Sequence, residues 1–353
     1  MRRSTLSDLA ENLGLSVNTV SRALRGKDGV STRTRELVLE EAVRIGYVTA
    51  GASRPVPAPA AESRTRSRTI GLTIPSSTHM FASELIGAIE AGARAAGYSL
   101  DLFSTEESES QESDIAAQIV DSGLAGAVVI PVQGEREPWA SVRAEGIPVV
   151  AVSREIDHLG GDFVGVDSEA GEYAAVRHLL SRGARSFVSF EEDLAISTIA
   201  NRQRGFVRAL GEVEGTKSRT VPVPTRRFET GESDWRPEEA YRACLEFLET
   251  GIAFDAVTVG DDYFALGVVR ALAERDIRVP EDVRVVGYGD HPYSAWMRPS
   301  LSSIRLPTRL IGELAVALVL QRVAGEVSPP VRRLIKPELV VRESSGPRPL
   351  SGA

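Results

Sequence analysis

Between residues 6 and 45 the apolar positions recur at steps of three and four, in three short bursts. Leu6, Leu9, Ala10 and Leu13 form one helical stripe, with Thr5 able to cap its start and Gly14 to end it. Val20, Ala23 and Leu24 form a second, in a short helix that begins at Val17 after Ser16, a good N-cap, and stops near Gly26. On the other side of that helix Val17, Asn18, Ser21 and Arg22 share a polar, arginine-bearing face. A third stripe, Val38, Ala42 and Ile45 within "TRTRELVLEEAVRIGY", closes a three-helix core. Two short helices joined by a glycine-bearing turn are the helix-turn-helix pattern, whose second helix enters the DNA major groove. The same stripes also suit a solvated three-helix domain with no nucleic-acid role.

The pattern changes twice further on. Residues 49–69, "TAGASRPVPAPAAESRTRSRT", hold three prolines within five residues and four arginines, Arg54, Arg64, Arg66 and Arg68. This is a linker in irregular or polyproline form, either a tether or an arm that meets phosphates. From residue 70 short apolar runs alternate with amphipathic helices: "TIGLTIP", "YSLDLFS", "AGAVVIP", "IPVVAVS", "RSFVSF", "FDAVTVG" and "VRVVGYG" are strand-like. Continuous apolar strands spaced by helices predict parallel sheets covered on both faces, and their number predicts two doubly wound lobes.

Charge sharpens this division. Residues 1–35 carry seven Lys or Arg against three Asp or Glu, and residues 1–69 twelve against seven, so the remaining body holds 29 against 42. A basic start suits a phosphate backbone, and an acidic body is repelled by it. The chain of 353 residues has room for a small headpiece and a large two-lobed body. No apolar run reaches the ~18 residues of a membrane span, and "MRRSTLSDLA" leads into an amphipathic helix rather than a signal segment, which predicts a cytoplasmic protein. The single cysteine, Cys244, falls at helical spacing with Ala240, Phe247 and Leu248 and reads as core. Motifs G-x-S-x-G, H-E-x-x-H and GxxxxGK[ST] are missing, and the four histidines lack metal-ligand spacing, so neither catalytic residues, cofactor nor metal site is expected.

The stretch "TLSDLAENLGLSVNTVSRALRGKDGVSTRTRELVLEEAVRIGY" resembles the headpiece of the lactose-repressor (LacI/GalR) family of bacterial transcription regulators. The resemblance implies that Val17, Asn18 and Arg22 face base edges and that Thr5, Ser16, Thr19, Ser21 and Thr34 contact phosphates. The chemistry agrees: Asn pairs with adenine, Arg with guanine, and Val offers a thymine methyl an apolar contact. The family's hinge segment, aligned from Tyr47, is retained here only at Arg54, and Pro55, Pro57 and Pro59 disfavour a hinge helix, although "APAAESRTRSR" could form one further along.

The body resembles the same family through "GIPVVAVSR", "NRQRGFVRAL", "GDDYFALGVVRALAERDIRVPEDVRVVGYGD" and "RPSLSSIRLP". The implied fold class is α/β: a three-helix helix-turn-helix headpiece (1–48), the linker (49–69) and a two-lobed periplasmic-binding-protein-like domain with parallel doubly wound sheets (70–342), then a tail (343–353). The N-lobe is expected over about 70–166 and 292–322, the C-lobe over about 167–289 and 325–342. In such a fold ligands bind between the lobes, at the C-terminal ends of the strands. Ser76, His79 and Phe81 follow the first strand; Arg154 stands at a family position usually Asp-Arg, here Ser153–Arg154; Arg202 and Asp262 match the family's ligand-binding arginine and acid; Asp290 follows "VVGYG" and could equally cap a helix or serve a hinge. A forked donor and a carboxylate suit a sugar. Where the family pattern has Asn before "DxxAxG" this chain has Asp261, and the adjacent acidic pair leaves a cationic or amino-bearing effector open. The expected partners are a palindromic operator, a small-molecule effector and a second copy of the chain; the tail lacks a leucine heptad, so a dimer is expected rather than a tetramer. The competing reading is a DNA-binding regulator with a vestigial cleft, controlled by a partner protein.

Overall fold

The computed structural model describes residues 6–24, 30–31, 33–34, 37–38, 41, 67–75, 80–134, 137–156, 160–224 and 237–346. The chain divides into two compact units, Met1–Arg64 and Thr65–Ala353.

In the first unit, helices α1 (Leu6–Leu13) and α2 (Val17–Leu24) are joined by a turn at Gly14, whose φ of 62° an L side chain rarely adopts. Leu9, Ala10, Val20, Ala23 and Val38 form a small buried core. Residues 33–34, 37–38 and 41 are helical, and Asn12 Nδ2 donates to Glu41 Oε1 at 2.8 Å, tying α1 to that third segment. Ala42, Ile45 and the whole hinge region through residue 66, Arg54 included, lie outside the described residues.

The second unit begins with β1 (Thr69–Ile74), α3 (Met80–Ala95), β2 (Ser99–Ser104), α4 (Glu109–Asp121), β3 (Gly126–Val129), α5 (Trp139–Ala144), β4 (Val149–Val152) and β5 (Asp162–Val166). It continues through α6 (Ser168–Ser181), β6 (Ser186–Glu192), α7 (Ser197–Gly211), β7 (Lys217–Val223), α8 (Pro237–Glu249), β8 (Ala256–Val259), α9 (Asp262–Glu274), β9 (Arg284–Gly289) and β10 (Ser302–Arg305), and ends with α10 (Thr308–Val323), β11 (Arg332–Ile335) and β12 (Glu338–Val340). Two six-stranded sheets result, ordered β11-β5-β4-β3-β1-β2 and β12-β10-β9-β8-β6-β7. Among the described residues every pairing is parallel except β10 with β12.

Strand alternation explains why both faces are covered. In the N-lobe, Val128, Val150 and Val152 face α3 and α10, while Ala127, Val129, Val149 and Ala151 face α4 and α5. In the C-lobe, Val188, Val257 and Val285 pack with α8 and α9, and Phe187, Ala256 and Val286 with α6 and α7. Cys244 is fully buried among the former group.

Two details correct the expected lobe boundaries. Residues 302–305 pair with β9 in the C-lobe sheet, so "RPSLSSIRLP" does not open the N-lobe's return; that return starts at α10. Residues 332–335 pair with β5 in the N-lobe sheet, so only β12 of the terminal pair serves the C-lobe. The chain crosses between lobes three times, at 166–168, 305–308 and 335–338, each crossing short enough to act as a hinge.

Glu112 on α4 is buried, and its Oε1 accepts from Trp139 Nε1 and from the Val132 amide, both at 2.9 Å, so it fixes the loop after β3. Burial raises its pKa to about 7 against a usual 4.5, the two hydrogen bonds opposing only in part. A carboxyl raised by folding adds stability that is complete below its unfolded value and is lost as pH rises through its folded one. Stability should therefore decline from about pH 4.5 to above 7, and Glu112→Gln, which keeps the acceptor oxygen, should remove much of that decline in thermal melts. Glu172, raised to about 7 mainly by burial, adds a second component that this variant keeps.

Gly205 on α7 and Gly267 on α9 let paired helices touch backbone to backbone: a Cβ would run into the carbonyl oxygen of Glu169 or Pro237. Gly205→Ala should cost about 1–3 kcal/mol in urea unfolding, the overpacking range, whereas Gly211→Ala, which meets nothing nearby, should not.

Candidate functional site

In the headpiece, α2 leaves Val17 about half exposed and Arg22 exposed while Val20 and Ala23 are buried beneath. Ser16 Oγ accepts the Thr19 amide at 3.0 Å and lies 2.8 Å from Thr19 Oγ1. Ser31 and Thr34 repeat the arrangement, at 3.1 and 2.7 Å, before the third helical segment. The two serines are N-caps, and the two threonines are bonded to them, so a phosphate would share hydroxyls that already hold helix ends in place. Ser21 is half-buried on α2. Thr5 and the side chain of Asn18 lie outside the described residues.

In the body, parallel strands aim their C-terminal ends at one cleft between the sheets. The N-lobe wall brings Pro75, Phe81, Ala82, Ile130, Ser153, Arg154 and Val166; the other wall brings Ser168, Glu192, Ile196, Thr198, Arg202, Gly260, Asp261 and Tyr288, with Leu306 at a crossing. Ser76 and His79 lie outside the described residues.

Arg202, 8% exposed, makes a two-pronged ion pair with Glu191, Nε to Oε2 at 2.8 Å and Nη2 to Oε1 at 2.6 Å, and its guanidinium lies 4.7 Å from the Tyr288 ring centre. Burial works against its charge, but the Glu191 carboxylate outweighs that and raises its pKa. Arg154, 5% exposed, is held likewise by Glu107, at 2.6 and 2.5 Å, and donates to the Pro131 carbonyl at 3.4 Å. Three non-glycine residues with left-handed backbone, Glu106, Glu107 and Ser153, hold the two ends of this pair.

Asp262 is not on the cleft wall. Fully buried, its Oδ1 accepts from Ser303 at 2.7 Å and its Oδ2 from Ser294 at 2.5 Å and the His291 amide at 2.9 Å. Burial first, then the charge of Asp261, pushes its carboxyl up. It braces the segment after β9 against α9, and the acid that reaches the cleft is its neighbour Asp261, which caps α9 through the Tyr263 amide at 2.8 Å. Asp261 Oδ2 lies 3.5 Å from His291 Nε2. Burial lowers the basicity of His291, yet Asp261, Asp262 and Glu84 outweigh it and hold its pKa above the usual value. Asp290 is also structural: with φ 53°, it receives Arg305 at 2.7 Å and Arg342 at 2.6 Å and so fastens β10 and the chain after β12 to β9.

The two lobes touch across the cleft mouth. The residue at the N-cap of helix α7 is Ile196, whose side chain cannot cap, and the Ser197 amide is met instead by Gln133 Oε1 of the N-lobe at 2.6 Å. Glu155 N donates to Ser197 Oγ at 3.3 Å, and Gln133 Nε2 braces the Glu155 carbonyl at 2.8 Å. Sequence reasoning missed Glu107, Glu191, Glu192, Tyr288 and Gln133. The acidic end of "RSFVSFEE" was the available signal, since a strand that turns polar at its C-terminus is leaving the core for the cleft.

Among the described residues, no group of three or more His, Cys, Asp or Glu is placed to hold a metal ion, and no helix is long and apolar enough to cross a membrane. A family model described as "Bacterial regulatory proteins, lacI family" matches residues 5–50, and one described as "Periplasmic binding protein-like domain" matches residues 176–345. The chain is 27% identical to the HTH-type transcriptional repressor PurR of Yersinia pestis, over 97% of this chain and 96% of that protein. Its fold matches the transcriptional regulator CelR–cellobiose complex (TM-score 0.68, 24% identity, 97% of this chain and 100% of that one). It also matches the lac repressor dimer bound to operator and the anti-inducer ONPF (TM-score 0.70, 24% identity, 98% and 100%). With the HTH-type transcriptional regulator MalR of Streptomyces coelicolor it shares 30% identity over 98% of this chain and 97% of that protein, and on this full-length likeness the chain belongs to the LacI family of bacterial transcription regulators.

Proposed function

We propose that the protein is a homodimeric repressor that reads a palindromic operator through α2 and is released or retained by a small polar effector bound between its lobes. The observation that carries this reading is the cleft: two buried arginines, two wall carboxylates and an aromatic ring converge where parallel strands end, a polar concentration that a purely structural interface does not need. The structural neighbour described as a complex with cellobiose and the relatives named as repressors support a carbohydrate-like effector and repression. Ligand in the cleft favours one lobe arrangement, and that arrangement is linked to operator affinity reciprocally. In the base-reading role, Val17, Asn18 and Arg22 face the groove; Ser16, Thr19, Ser21 and Thr34, with Thr5 and the linker's Arg54, serve the phosphates. In the effector role, Phe81, Arg154, Arg202 and Asp261 line the site, joined by Ser76 and His79, which follow β1 in sequence.

Binding-site selection with the full chain should yield a two-fold symmetric site whose affinity falls steeply with salt. Arg22→Ala should relax preference at one symmetric position per half-site, by about 1–3 kcal/mol; an unchanged preference profile with uniformly weaker binding would make Arg22 a phosphate contact instead.

A thermal-shift screen with sugars and small metabolites separates an effector-gated regulator from one with a vestigial cleft, because only a working site gains stability by mass action. Arg202→Ala should abolish the response to any hit. Gln133→Ala, which uncaps α7 and loosens the lobe contact, should weaken that response without abolishing it. Undiminished responses in both variants would place the effector elsewhere.

A further inference from the structure

The two walls of the cleft differ in kind. Among the described residues, the N-lobe wall is built from Pro75, Phe81, Ala82, Ile130 and Val166, and its polar members, Ser153 and Arg154, both come from the one loop after β4. Arg154 is 5% exposed and already held by Glu107 and the Pro131 carbonyl. The facing wall carries Ser168, Glu192, Thr198, Arg202, Asp261 and Tyr288, while Leu306 adds an apolar side chain at a crossing between the lobes. Equivalent places in the two sheets show the contrast best. Pro75 follows β1, Ile130 follows β3 and Val166 ends β5, whereas Glu192 ends β6 and Asp261 follows β8.

A second, independent feature points to a ligand with hydroxyls. Tyr288 is 5% exposed and lies on the C-lobe wall, yet among the described residues its hydroxyl, near Ser168, makes no hydrogen bond of acceptable geometry. A buried hydroxyl left in this way is satisfied by a polar group that enters the cleft. A free pyranose nevertheless fits such a space poorly. Its hydroxyls stand around the whole rim of the ring, so a ring that turns one edge to Tyr288 and Thr198 presses the opposite edge, hydroxyls included, against Ile130 and Val166. A hydroxyl buried there without a partner costs free energy, and an apolar group in its place gains it.

We propose that the effector of this cleft is amphipathic: a hydroxylated ring bearing one apolar substituent, an alkyl or aryl glycoside in the simplest case. Its hydroxyls meet Ser168, Thr198, Arg202 and Tyr288, and its substituent meets Phe81, Ala82, Ile130 and Val166. The proposal rests on the cleft being the effector site. It also gives the two lobes different tasks. The hydroxyls hold the ligand to the C-lobe whether the cleft is open or shut, while the substituent leaves water only when the N-lobe closes over it. The apolar substituent therefore sets how strongly closure is favoured.

The test has two arms on the full chain. The first is a thermal-shift titration with glucose and galactose, their methyl, propyl and phenyl β-glycosides, and cellobiose, whose substituent is itself a hydroxylated ring. Affinity should rise about fourfold for each methylene buried, and the phenyl glycoside should outdo cellobiose. Val166→Thr combined with Ala82→Ser, which makes the wall polar with little change of shape, should flatten the series. A free sugar or cellobiose that matches or outdoes the propyl and phenyl glycosides, with its shift lost in Arg202→Ala, overturns the amphipathic inference and leaves the cleft reading intact. Shifts unchanged in Arg202→Ala and in the double variant overturn the cleft reading, and the proposal with it.

The second arm decides the matter if no panel member binds. Benzyl alcohol, an apolar ring with a single hydroxyl, is titrated into methyl-labelled protein and followed by NMR, with glycerol as the purely polar control. Benzyl alcohol should shift the methyl signals of Ala82, Ile130 and Val166 saturably, and glycerol should leave them in place. Wall methyls that stay unmoved by benzyl alcohol, or that answer glycerol equally, overturn the proposal.

Discussion

A guanidinium buried between two protein layers keeps its charge only if a carboxylate is buried with it, and the geometry of this cleft follows from that requirement. Arg202 comes from the first turns of α7 and Glu191 from the end of β6, so the pair fixes where α7 begins relative to the sheet. Once α7 is fixed, its amino end faces the opposite lobe, and Ser197 can be met by Gln133. The N-lobe repeats the solution with Arg154 and Glu107, at the cost of left-handed backbone at Glu106, Glu107 and Ser153. Breaking either pair would strand a buried charge, which is far more costly than never having buried the pair.

The same reasoning separates residues that serve a ligand from residues that serve the fold. Asp262 has every acceptor direction that matters occupied by Ser303, Ser294 and the His291 amide, and Asp290 is spent on Arg305 and Arg342. Both hold together the ends of β9 and β10, where the C-lobe sheet meets the hinge. Asp261, one residue away, uses a carboxylate oxygen to cap α9 and stands on the wall. A one-residue step at a helix start is enough to exchange the two roles, because successive residues there point about a quarter-turn apart.

Much of the fold was legible because long apolar runs with helical spacers have few alternative solutions. Seven of the strands were apparent from hydrophobicity alone, and β5, β7, β10, β11 and β12 were not. Edge strands β7 and β11 show why: Lys217–Val223 and Arg332–Ile335 are largely exposed and carry polar residues where a central strand would carry valines. The swap of β10 and β11 between lobes was equally hidden, since pairing partners 16 and 169 residues away leave no trace in local pattern. Gly205 and Gly267, three and five residues after Arg202 and Asp262, serve helix contact, and of those two polar residues only Arg202 faces the cleft as expected. The site's negative charge was half visible in the adjacent Asp261–Asp262 and invisible in Glu107, which reaches Arg154 from 47 residues away.

Lobe closure in this protein is governed by modest forces, and that is what makes it controllable. Among the described residues, the lobes are joined at the cleft mouth by the bond from the Ser197 amide to Gln133 and by that from the Glu155 amide to Ser197 Oγ. At about 0.5–1.5 kcal/mol each, they bias the closed arrangement by roughly 1–3 kcal/mol, a factor of about 5 to 150 in population. A ligand needs only a comparable difference in affinity between open and closed cleft to reverse or complete that bias. Polar contacts that a ligand makes to both walls on closure supply a difference of that size, because they are strong only when both walls are near and water is excluded. The buried Arg–Glu pairs cannot play this part, since each lies within one lobe and is present whether the cleft is open or shut. Rigid lobes, each locked by its own ion pair, joined by a weak latch at three short crossings, form a bistable element that a small molecule can tip.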